Sequence, residues 1–139
     1  MKPLKSIFLK ISALLIVVWI SSCNYTQTYM PALNDQQHVV LDSINSKYSF
    51  EDVSLAGKKT SGSGGTHTTL TVRFINGKNI PADDDKMSEA AKQLALQIKK
   101  VLKNPNEFES YTILFVTRTV DGAETTEKSI GHEFKASEL

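Results

Sequence analysis

The pattern of apolar residues predicts an α+β fold. It is a two-layer sandwich in the order α-β-β-α-β-β, with helices on one face of a four-stranded, mostly antiparallel sheet. Three observations carry this. An apolar stripe at helical spacing runs between positions 83 and 103. Period-two alternation of apolar and polar residues precedes and follows it. Asp121-Gly122 sits between two strand-like runs with the chemistry of a tight hairpin. With 139 residues, 40% apolar and 22% charged, the chain suits one domain and is neither a disordered tail nor a polytopic membrane protein. The net charge is +1, and Lys2, Lys5 and Lys10 stand in an opening segment without acids. The rest is therefore slightly acidic, which argues against nucleic acid as a partner.

Residues 1–22 read as an address rather than as fold. A basic start is followed by the uncharged run 11–20 (ISALLIVVWI). Ten helical residues rise about 15 Å, half of a roughly 30 Å hydrocarbon core, so the run is a short secretory h-region and not a membrane span. It ends on Ile20-Ser21-Ser22-Cys23: a branched apolar residue, two small ones, then the one cysteine of the chain. This resembles the lipobox of bacterial lipoproteins. The resemblance covers only these first 23 residues. It implies signal peptide 1–22, cleavage before Cys23 and a diacylglycerol on the Cys23 sulfur. The mature protein would then be held on a membrane by its lipid chains, with its only thiol consumed. Asn24 follows the cysteine. By the sorting pattern of enterobacterial lipoproteins, the absence of aspartate there points to the outer membrane, facing the periplasm, if the host is Gram-negative.

Residues 24–34 show no period and contain Pro31, so 23–34 is expected to be a lipidated tether and 35–139 a single domain. Asn34 or Asp35 is a cap for a short helix at 35–47, where Val40, Leu41, Ile44 and Tyr48 recur at helical spacing. Val53 and Leu55 mark a strand at 50–58, and the Gly/Ser-rich stretch 58–66 is expected to be a loop. In a second strand, 67–76, Leu70, Val72 and Phe74 share one face. The helix 83–103 begins with Asp83-Asp84-Asp85, favoured at the positive end of the helix dipole, and ends with Lys99, Lys100 and Lys103 before Asn104-Pro105. Its stripe is Met87, Ala90, Ala91, Leu94, Ile98, Val101 and Leu102.

The strand 109–120 is the most apolar stretch after the leader, and 123–134 returns along it. A type I′ turn at Asp121-Gly122 would set Ile113 against Ile130, Tyr111 against His132 and Phe115 against Lys128. The element order is also a permutation of the ferredoxin-like order. That analogy puts the last strand beside the second and 109–120 at an edge. The apolar character of both faces of 109–120 suits a central position instead, and the strand order stays open.

No arrangement of residues announces catalysis. Gly57-Lys58-Lys59-Thr60 lacks the spacing of a phosphate loop. The triple aspartate lacks the spaced ligands of a calcium loop. His38, His67 and His132 are scattered, and no GxSxG occurs. No catalytic residue, metal or cofactor is expected. The expected function is that of a membrane-anchored envelope lipoprotein with a small non-catalytic binding or assembly domain. The alternative is an enzyme or enzyme inhibitor whose site is assembled only in the fold. The candidate interaction surface is the second face of the strand 109–120, carrying Leu114, Val116 and Arg118. The helix at 35–47 is an alternative cover for that face. The partner would be another envelope protein or a second copy, beside the membrane reached through the anchor.

Overall fold

A computed structural model describes residues 24–139. The expected signal peptide 1–22 and lipidation residue Cys23 lie outside the described residues. The elements are β1 (Tyr25–Tyr29), α1 (Gln37–Tyr48), β2 (Asp52–Gly62), β3 (Gly65–Ile75), α2 (Asp84–Val101), β4 (Ser110–Asp121) and β5 (Glu124–Lys135), with short 3-10 turns at Pro105–Glu107 and Ala136–Glu138. The class is α+β, and both helices contribute to one core on a single face of the sheet. The sheet has five strands in the order β1-β2-β3-β4-β5. All neighbours are antiparallel except β3 and β4, which run parallel because α2 carries the chain back between them.

The fifth strand corrects the expected four. Residues 24–34 do not hang free. Tyr25–Tyr29 pairs with Ser61–Gly57 of β2. Beyond it, Lys103 N–H donates to Ala32 O, and Asn34 N–H donates to Val101 O. An edge strand that buries little shows no hydrophobic period. β1 is exposed up to Tyr29, so only its Thr and Tyr content hinted at it. The expected loop at 58–66 is corrected for the same reason: Lys58–Gly62 continues β2, polar on both faces but paired with β3 throughout and with β1 as far as Ser61, and only Ser63-Gly64 turns. The β4–β5 register also differs by two residues. Glu124 pairs with Asp121, so Phe115 faces Ile130, Ile113 faces His132 and Tyr111 faces Phe134. The turn is Gly122-Ala123, with Gly122 at φ 60° and no positive φ at Ala123. That is the type II′ pattern, which puts glycine first, rather than the type I′ turn expected at Asp121-Gly122. A shift of two preserves which face each side chain takes.

β4 lies between β3 and β5, so the ferredoxin-like placement at an edge does not hold. Its two apolar faces have different uses. Tyr111, Ile113 and Phe115 join Leu70, Val72 and Phe74 of β3 under α2, whose Ala91, Leu94, Ala95 and Ile98 are fully buried. The alanines let helix and sheet approach closely. α2 starts as its sequence predicts, with the Asp83 carboxylate accepting from Lys86 N–H. α1 is held by Ile44 and Tyr48 and ends on Ser49 in the left-handed region at φ 50°. Its start differs slightly from expectation: Asn34 Oδ1 accepts from Gln36 N–H one turn before the helix. From Tyr48 an aromatic row runs through Phe50 and Phe74 to Phe115, with ring centroids 4.7–6.3 Å apart.

Candidate functional site

With both helices on one side, the other side of the sheet has no covering element among the described residues. Strand alternation decides what it shows. β3 presents Thr71, Arg73 and Ile75 there, opposite Thr112, Leu114 and Val116 of β4. Arg118 follows, opposite Glu127 of β5. The three sequence-predicted residues Leu114, Val116 and Arg118 therefore stand together on the open face. α1 does not cover them, because it lies on the opposite side.

The face is less apolar than the sequence suggests. Leu114 lies over Gly131, where a Cβ would come within 2.9 Å of Leu114 Cδ2; glycine makes that seat. Val116 is only 3% exposed and Ile75 1%, with no described helix above them. A charged bridge spans this part of the face. Arg118 Nε donates to Glu127 Oε1 at 2.8 Å, and Arg73 Nη2 donates to Glu127 Oε2. Arg73 sits level with Leu114 and Glu127 level with Arg118, so the pair crosses β4 at the level of Val116. The Arg118 hydrogen bond chiefly, with the charge of both arginines, holds the Glu127 carboxyl below its ordinary pKa against partial desolvation. Sequence reasoning found Arg118 and missed Arg73 and Glu127. Their signal was present in strand parity, but only the sheet order brings β3 and β5 to either side of β4.

At one end of this face an open cleft of about 570 Å³ lies between β3, the start of β4 and the end of β5. It gathers His67, Thr69, Glu109, Ser110, Glu133 and Lys135. His67 Nδ1 and Glu109 Oε2 are 2.9 Å apart, and both side chains are more than half exposed. Thr69 Oγ1 and Ser110 Oγ are 3.0 Å apart. The arrangement can hold a polar ligand through mixed charges and hydroxyls. Glu107, which the sequence sets close to Glu109, turns away and accepts from Tyr29 Oη at 2.6 Å. Burial first and then Glu107 push the Tyr29 phenol up to about 12.

His132 is on the other face, edge-on to the Phe115 ring at a centroid distance of 6.3 Å, so His67 and His132 do not converge. Among the described residues no group of three or more His, Cys, Asp or Glu is placed to hold a metal ion. Asp83-Asp84-Asp85 caps and starts α2. On the helix side, an apolar groove of about 430 Å³ runs between the start of α2 and the β4–β5 hairpin, lined by Ile80, Met87, Phe115 and the half-exposed Ile130. No described helix is long and apolar enough to cross a membrane. Comparison with protein-family models, with curated proteins and with solved structures finds no match to this chain.

Proposed function

We propose that this chain is a lipid-anchored protein of a bacterial cell envelope whose small α+β domain binds a protein partner rather than catalysing a reaction. The observation that carries the binding role is the open face of the sheet around Leu114, Val116 and Arg118. It offers a sheet surface with no described element over it and a fixed charge pattern, which suit recognition of another envelope protein or a second copy. The anchor reading rests on Ile20-Ser21-Ser22-Cys23 after its h-region. Asn24 after the cysteine supports placement on the outer membrane, facing the periplasm, in a Gram-negative host.

Two experiments test the two halves. Intact mass of the mature protein should show an N-terminal Cys23 carrying acyl chains, and Cys23→Ser should leave the membrane fraction or stay unprocessed. An unmodified Cys23 or another N-terminus overturns the anchor. Leu114→Lys should keep the circular dichroism of the parent and lose partner capture or self-association. Unchanged capture overturns the face as the binding surface.

The cleft at His67 favours a second reading, an enzyme or inhibitor with a polar ligand, because it brings an imidazole, two carboxylates and an ammonium together from separate strands. Ligand-dependent shifts of the His67 ring resonances would support it.

A further inference from the structure

The chain becomes part of the sheet almost at once after Cys23. Tyr25 is already paired with Ser61 beside the β2–β3 turn. Asn24, the residue after Cys23 in the sequence, lies against Gly62 at that turn, where an added Cβ would meet Asn24 Oδ1. The turn is also the most protruding part of its end of the sheet. β2 and β3 pair out to Gly62 and Gly65, whereas β4 begins only opposite Thr69, about 13 Å behind. The chemistry of this projection is distinctive. Residues 60–66 carry no charge, and Lys58 and Lys59 stand on opposite faces about 10 Å behind the turn, at a level where Glu107 and Glu109 are held by Tyr29 and His67. Tyr25 is 66% exposed although aromatic, beside the chain's entry. Aromatic rings with a polar tip favour the water–lipid boundary, and lysines near it are attracted by anionic headgroups.

We propose that the β1–β2–β3 projection is the membrane-contacting end of the domain. Tyr25 and the Ser63-Gly64 turn sit in the headgroup layer, and Lys58 and Lys59 face the anionic phosphates. The partner is a lipid surface, and the inference rests on lipidation of Cys23. With a strand in place of a tether, the domain stands upright and holds its open face roughly perpendicular to the bilayer, accessible from the side. The β4–β5 turn points away from the membrane.

The test uses the full lipidated protein in vesicles of phosphatidylethanolamine and phosphatidylglycerol. An environment-sensitive dye is attached through Ser63→Cys or, separately, Ala123→Cys. Both positions are in exposed turns, so both variants should match the parent in circular dichroism. The expected result is strong quenching of the dye at 63 by a headgroup-bound quencher lipid, and none at 123. Equal quenching at the two positions, or stronger quenching at 123, overturns the orientation. Intact mass taken on the same samples separates the two failures. Acyl chains present without quenching at 63 defeats the orientation alone, whereas their absence defeats the anchor.

Discussion

At Val116 two arginines and a glutamate bridge the open face of the sheet. Each of these charged groups keeps about a third of its side chain in water. Their stabilising effect is accordingly modest and screened by salt. Its pH dependence has a definite sign. The Glu127 carboxyl is held below its ordinary value in the folded state. The contribution is therefore complete above that ordinary value and disappears as pH falls through the lowered one. Glu127→Gln should flatten the acid side of the stability curve, read as urea midpoints across pH. A curve parallel to the parent's would mean that the bridge does not form in solution. Inside the core the magnitudes are larger. Leu94 is fully buried at the middle of α2. Leu94→Ala should cost ~2–5 kcal/mol, the range for a large-to-small change in a close-packed interior. A denaturant titration that moves by less than half a kcal/mol would place Leu94 outside the core.

Among the elements, β1 has the weakest sequence signal and a large structural consequence. It covers the outer edge of β2, and the Tyr29 ring lies so close over Gly57 that a Cβ there would be 2.7 Å from the ring. The same ring stacks on Phe108 with centroids 6.3 Å apart. Removing residues 24–29 should uncover a row of unpaired β2 backbone groups and promote edge-to-edge association. Sedimentation should then show concentration-dependent oligomers larger than any the longer chain forms. A truncated protein that stays monomeric would show that β1 does not guard the edge. The helices and β3 were legible because each places apolar residues at its own period. β1 and the outer half of β2 were not, because they are held by backbone pairing while both of their faces are largely polar. The β4–β5 turn was legible as a turn but not in register, since Asp121-Gly122 and Gly122-Ala123 both satisfy the demand for a glycine in a two-residue loop.

For the molecule as a whole, the alkaline limit of stability follows from two phenols. Burial pushes Tyr111 up to about 12, with its hydroxyl donating to Pro105 O, and Tyr29 is raised to about 12 as well. A phenol whose folded pKa lies above the free value of about 10 favours the folded state while protonated. That contribution is full below pH 10 and falls as the pH rises from about 10 to 12. Unfolding midpoints should therefore drop over this window, and Tyr29→Phe combined with Tyr111→Phe should remove the drop. A midpoint that falls equally in the double variant would trace alkaline loss to other groups.

The sequence by itself determined the α+β class, the two helices, the buried faces of β3 and β4 and the choice of face at every position of the last hairpin, since these follow from local periods of 3.6 and 2. It also carries Ile20-Ser21-Ser22-Cys23, the short linear motif on which the proposed anchor rests. Only the tertiary structure decided that residues 25–29 are a strand and that β3 and β4 run parallel at the centre. These are choices among pairings of similar local energy, settled by which arrangement buries Leu70, Val72, Phe74, Tyr111, Ile113 and Phe115 together. The same choice set Arg73, Arg118 and Glu127 around Val116, because residues far apart in the chain meet only once the order of the strands is fixed.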